Sequence, residues 1–156
     1  MSLTVQNATN QNVKTTALLE AGIHLLKEEG MPEVDVDVLL MDDARIQELN
    51  LQYRNFDKPT DVLSFSLRES LGDEPALPEL NELPIHLGDV AISIDTAKKQ
   101  AAIHGVSLEQ ELSLLTVHGI LHLLGYEDET FEGAAEMRSR EKDILNFSYP
   151  AFAFPE

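Results

Sequence analysis

The run Thr116–Thr130, TVHGILHLLGYEDET, constrains this chain more than any other stretch. His118 and His122 stand four residues apart inside an apolar run of helical spacing. Residues i and i+4 of an α-helix lie one above the other on one face, so both imidazoles point the same way. Gly125 predicts the helix stop, because glycine adopts the left-handed conformation that a C-terminal cap requires. The chain then turns through Tyr126 and Glu127 and returns Asp128 toward the histidine pair. Two imidazoles and a carboxylate make the three-ligand set of a catalytic zinc site, with one position left open. The plainer reading is two polar residues on the wet side of an otherwise buried helix. The residue after the first histidine is Gly119, whereas zinc proteases of the H-E-x-x-H type carry their glutamate base there. That argues against peptide hydrolysis by their route.

At 156 residues the chain is expected to form one domain, residues 1–156, with a sizeable core. No run approaches the roughly 18 apolar residues of a membrane span. The opening MSLTVQNATN has no basic segment leading into an apolar one. Neither a membrane nor a secretory destination is therefore expected, and a cytoplasmic location fits. The absence of cysteine excludes disulfides and thiolate ligands, which leaves His, Asp and Glu for any metal. The balance of 11 basic against 28 acidic residues gives a net charge of −17. Charge of that sign repels nucleic acid at long range. Salt confines the repulsion to about 8 Å, so a local basic cleft can still act. Taken alone, the acidity reads as a device for solubility.

In chain order, Leu3–Gln6 fits a short first strand. Asn12 or Thr15 opens a helix through about Glu29, with Leu18, Ala21, Leu25 and Leu26 on its apolar side and Gly30 as its stop. Val34–Val38 alternates strictly and predicts a strand whose Asp35 and Asp37 face water. Asp42 or Asp43 caps a helix through about Leu51. In YRNFDKPTDVLSFSL, Pro59 keeps the preceding segment out of a helix, and Asp61–Leu67 predicts a strand. Arg54 offers paired, permanently charged donors suited to phosphate, or else makes a surface ion pair. Arg68–Pro84, with three prolines and five acids, reads as a long connection, either a lid or an idle loop. His86–Ile94 returns to strand, with structural roles expected for His86 and Asp89. Asp95 opens a helix ending near His104–Gly105, where the helix dipole accounts for His104. Ser107 and Gln110 form a capping box for the histidine-bearing helix, which runs to Leu124. A last helix spans Thr130–Asn146, and the apolar tail Tyr149–Glu156 follows. The fold class expected is α+β: a small mixed sheet of about four strands with surrounding helices, the histidine-bearing helix central.

HGILHLLGY with its acidic turn resembles the signature of the YbeY family of bacterial metal-dependent endoribonucleases, H-G-x-L-H-L-x-G-Y-D-H. His118 and His122 match the first two metal-binding histidines, Gly125 and Tyr126 match the turn, and the third histidine falls on Asp128. Two further segments carry the likeness: Tyr53–Phe65, where an arginine precedes a PT(D/N)VLSF strand, and Leu87–Val90, LGDV. The resemblance implies a single zinc ion on His118, His122 and Asp128, with the oxygen ligand widening tolerance toward nickel or manganese. It places Arg54 in the active-site cleft. It further implies cleavage of single-stranded RNA, maturation of the 3′ end of 16S ribosomal RNA, ribosome quality control, and the small ribosomal subunit as partner. For a general base the acidic turn offers Glu127 and Glu129, beside water on the metal. Two other readings are a metallohydrolase of a different ester or amide, and a ribosome-associated binding protein whose metal is structural.

With three neutral histidines a zinc centre keeps its full +2 charge, whereas Asp128 reduces it to +1. The lower charge acidifies bound water less. The pH–rate profile of RNA cleavage is therefore expected to reach its optimum at higher pH in this protein than in an Asp128→His variant. Superimposable profiles would remove the idea.

Overall fold

The structure, a computed structural model, describes residues 2–31, 33–67 and 85–145; the connection Arg68–Pro84 and the tail Tyr149–Glu156 lie outside them. The alternation at Val34–Val38 is realised as strand β2 (Val34–Met41), with Val36, Val38 and Leu40 buried. It is flanked by β1 (Ser2–Asn7) and β4 (Ile85–Ser93), both parallel to it, and β3 (Val62–Ser66) runs antiparallel to β4. The order β1-β2-β4-β3 puts β3 at an edge. Five helices complete the described residues: α1 (Thr16–Glu28), α2 (Asp43–Arg54), α3 (Ile94–His104), α4 (Leu108–Leu123) and α5 (Phe131–Ile144). This is the α+β class with the mixed four-stranded sheet expected.

Strand alternation divides the core between the two sheet faces. Val36, Val38, Leu40, Val90 and Ile92 belong to the larger cluster, with Leu18, Leu25 and Leu26 of α1 and Leu112, Val117, Ile120 and Leu121 of α4. Met41, Leu63 and Ala91 form a smaller cluster with Ile46 of α2. Helix α4 touches α1, α3, α5, β3 and β4, and is buried almost all round. Each buried Leu, Ile or Val contributes about 1.5–3 kcal/mol, far more than helix propensity does, so packing holds α4 in place.

Local signals set the helix ends. The Ser107 hydroxyl accepts from the Gln110 N–H at 3.1 Å, and the Gln110 side chain accepts from the Ser107 N–H at 3.0 Å, completing the capping box at the head of α4. At its foot Gly125 takes φ +103°, while the N–H groups of Gly125 and Tyr126 donate to the carbonyls of His122 and Leu121 at 3.0 Å each. These two bonds are the Schellman pair, and they reverse the chain. Helix α3 opens at Ile94, one residue before the expected Asp95, with Ser93 as its cap; Asp95, in the first turn, accepts from the Asp43 N–H at the head of α2, at 2.9 Å. His104 does more than its expected role. Its ring is buried and bonds the Glu111 carboxylate at 2.7 Å, across the turn between α3 and α4. Burial pushes the Glu111 carboxyl above its ordinary range against the opposing pull of His104.

At Gly119, α4 lies tight against the sheet. A Cβ built there would lie 2.5 Å from Val90 Cγ1 and 3.2 Å from Ser64 Oγ. Ser64 also donates to the Gly119 carbonyl at 2.8 Å. The position that carries a glutamate base in zinc proteases is thus filled from the other side by a core valine. Gly119→Ala is expected to destabilise the fold by about 1–3 kcal/mol, because Val90 is branched and fully packed. A urea melt with an unchanged midpoint would contradict this tight contact.

Candidate metal centre

Helix α4 brings His118 and His122 to one partly buried face, their Nε2 atoms 3.1 Å apart. The turn after Gly125 delivers Asp128, whose Oδ2 lies 3.7 Å from His118 Nε2 and 3.5 Å from His122 Nε2. A tetrahedral zinc with donors at about 2.0–2.2 Å would set them roughly 3.3–3.6 Å apart, so shifts of a few tenths of an ångström bring the three donors onto one ion.

The backs of the rings are held as well. His118 Nδ1 bonds Glu141 Oε1 at 2.6 Å, and His122 Nδ1 donates to the Tyr126 carbonyl at 3.1 Å. With each Nδ1 bound to an acceptor, the Nε2 lone pairs are the ones presented toward Asp128. The turn is pinned in its own right: Tyr126 Oη donates to Glu29 Oε1 at 2.6 Å, and Arg140 Nη2 donates to Glu29 Oε2 at 2.9 Å. Thr130 then caps α5, accepting from the Gly133 N–H at 2.9 Å. Residues 126–129 therefore bridge two fixed helix ends.

Sequence reasoning missed Glu141, which is only 3 % exposed. A signal for it existed: Met137, Glu141 and Ile144 are the buried residues of α5, at helical spacing. A carboxylate thus occupies a position where an amphipathic helix calls for an apolar side chain.

The two histidines titrate apart. Burial opposes protonation of His118, but Glu141, with Asp61 and Asp128 beyond it, raises its pKa above the ordinary histidine value. Burial and the neighbouring charge of His118 push His122 below that value. A metal ion must displace the His118 proton to bind.

A cleft of about 1360 Å³ runs along β3, all five of whose residues line it together with His118, His122, Asp128, Glu127 and Glu129. Arg54, the last residue of α2, lines the same cleft from an exposed position, its guanidinium 5.9 Å from the centre of the Phe56 ring. The predicted site residues thus share one cleft: three converge on a point, and Arg54 stands apart from them. His86 and Asp89, expected to be structural, pair at 3.0 Å on the open sheet face, with Asp37 3.8 Å from His86. Asp37, read from the sequence as a solvated residue, also accepts from the Thr4 hydroxyl. No helix among the described residues is long and apolar enough to cross a membrane.

Metal affinity is expected to fall as pH drops through the raised His118 pKa. Glu141→Gln removes the main cause of that rise, so its acid limb shifts to lower pH. The same change weakens zinc binding on the alkaline plateau by about 10- to 100-fold, since the ring loses its charged anchor. Calorimetric titrations across pH would show both effects; identical curves would mean that Glu141 does not orient His118.

Residues 4–148 match the family model described as Endoribonuclease YbeY. Endoribonuclease YbeY of Moorella thermoacetica is 51% identical over 113 residues, which is 72% of each chain. That of Desulfitobacterium hafniense is 44% identical over 142 residues, 88% of this chain and 87% of its own. The solution structure of TM1509 from Thermotoga maritima superposes with a TM-score of 0.61 at 28% identity, covering 92% of this chain and 86% of that one. Matched along nearly its whole length, this chain belongs to the YbeY endoribonuclease family.

Proposed function

We propose that this chain, acting as one domain, is a metal-dependent endoribonuclease that cuts single-stranded RNA. In the cell it would mature the 3′ end of 16S ribosomal RNA in the cytoplasm, and serve ribosome quality control with the small ribosomal subunit as its partner. The observation that carries the reading is the convergence of His118 Nε2, His122 Nε2 and Asp128 Oδ2 within 4.8 Å of one another, in the cleft that Arg54 also lines. Support for RNA as substrate comes from the relatives, which are named endoribonucleases.

His118, His122 and Asp128 would hold zinc, with nickel or manganese as acceptable substitutes for a site with one hard oxygen donor. Bound there, the ion supplies Lewis acidity toward a phosphoryl oxygen or water. The chain's own groups do the rest. Glu141 and the Tyr126 carbonyl keep both rings aimed, so no reorientation is needed when substrate arrives. Arg54 presents two parallel N–H donors to the scissile phosphate and stabilises the charge that builds on it. Glu127 and Glu129 line the cleft as candidate proton acceptors. The net charge of −17 leaves attraction of the RNA backbone to local cations, of which Arg45 and Arg54 both line the cleft.

The test is a metal count by plasma mass spectrometry alongside incubation with single-stranded RNA. His118→Ala is expected to lose both metal and cleavage. Arg54→Ala should keep the metal and lose about 100-fold or more in rate. Cutting that survives both changes would belong to a contaminating nuclease, and stoichiometric metal without any RNA cleavage would sink the proposal.

A further inference from the structure

Four of the six large hydrophobic side chains exposed among the described residues, Leu51, Tyr53, Phe56 and Leu67, fall in the segment from the last turn of α2 to the residue after β3. Scattered exposed apolar residues need no explanation, but a group of them beside a cleft does. Tyr53 is 59 % exposed and lines the cleft that holds the metal-binding donors. Its ring meets Phe65 of β3 edge to face, with centroids 5.2 Å apart, and Phe65 lines the same cleft. Phe56, 50 % exposed, has the Arg54 guanidinium 5.9 Å and the Lys58 ammonium 5.6 Å from its centre.

These rings stand on a fixed support. Asn50, itself buried, donates to the Lys58 carbonyl at 2.9 Å, and Gln47 donates to Asp57 at 2.9 Å. Asn55 takes the left-handed conformation at φ 62°, its N–H bonded to the Leu51 carbonyl at 3.1 Å. The loop that carries Phe56 and Lys58 is thereby tied back onto α2, so a ligand would meet the surface with little ordering left to do.

We infer that Tyr53, backed by Phe65, is a stacking platform for an unpaired base of the RNA strand, placed next to the phosphate contact of Arg54. The inference rests on the ribonuclease reading and extends it to how the strand is gripped. A chain of net charge −17 gains little from long-range attraction to RNA. Base–aromatic stacking depends on no net charge and accepts any base, because every base has a π-face. It also selects single strands, since a base inside a duplex has no free face to offer. A protein partner fits less well, because Arg54 and Lys58 both sit over the exposed Phe56 ring and the patch borders the catalytic cleft.

The chain has no tryptophan and three tyrosines, so intrinsic emission reports tyrosine. Holoprotein is mixed by stopped flow with a short oligouridylate or with its abasic counterpart, and cleavage kinetics are measured on the same strands. Wild type is expected to be quenched by the oligouridylate and to bind the abasic strand about tenfold more weakly. Tyr53→Ala and Tyr53→Leu should raise KM about tenfold, with the change falling on KM rather than kcat, and should respond little to base removal. Tyr53→Phe should keep the wild-type KM while losing the quench. Tyr53 is exposed and its packing is the edge contact with Phe65, so thermal midpoints of the variants should stay within a few degrees of wild type and exclude misfolding. If wild type cuts RNA while Tyr53→Ala binds and turns over as well as it does, the stacking site is wrong and the nuclease reading stands. If wild type binds with a base-dependent quench but never cuts, the platform stands and the nuclease reading falls. RNA binding untouched by Tyr53→Ala, together with self-association lost in sedimentation, would make the patch an interface between copies and overturn the inference.

Discussion

Two imidazole nitrogens 3.1 Å apart cannot both carry protons, and the architecture around them answers that constraint. An ion shared with Asp128 removes the conflict from the front. From behind, Glu141 takes charge on His118 and a backbone carbonyl orients His122, so the two rings are made unequal. The supports come from different places: Glu141 from α5, the carbonyl from the turn after α4, and the histidines from α4 itself. Burial of α4 between the sheet and the other helices keeps these parts in register, because a packed core does not deform continuously.

The acidity of the chain acts differently at different distances. Far from the surface it opposes an anionic substrate. Inside the fold it does structural and chemical work, with Glu29 clamping Tyr126 and Arg140, and Glu141, Asp61 and Asp128 raising the His118 pKa. Screening over about 8 Å separates the two regimes. In the cleft, Arg45, Arg54 and the exposed Tyr53 ring stand among Asp61, Asp89, Glu127, Asp128 and Glu129, so a grip on an anionic strand there is confined to the immediate reach of those few groups.

Most elements were legible because their signals are local. The strict alternation at Val34–Val38 marked β2, the Ser107–Gln110 box marked the head of α4, and Gly125 marked its foot. The resemblance to the YbeY family, carried by short motifs, was borne out by matches along nearly the whole chain. Illegible were the partners chosen by folding. His104 looked sufficiently explained by a helix end until the α3–α4 turn laid it against Glu111. Asp95 opens its own helix as read, but nothing local showed that its carboxylate also serves the head of the neighbouring helix. Asp37 keeps the partly exposed place its alternation implies, and the adjacent parallel strands also bring it to Thr4 and His86.

The sequence by itself determined that two histidines share a helical face, that the helix ends at Gly125, and that an acid follows within three residues. Helical periodicity and the left-handed cap act over four or five residues, so they can be read without knowing the rest of the fold. Only the tertiary structure decided that Asp128 closes on the pair, that Glu141 stands behind His118 from 23 residues away, and that Arg54 opens onto the same cleft. Those placements depend on how α2, α5 and the edge strand pack around α4. Packing of that kind is a property of the assembled core and is written in no single stretch of chain.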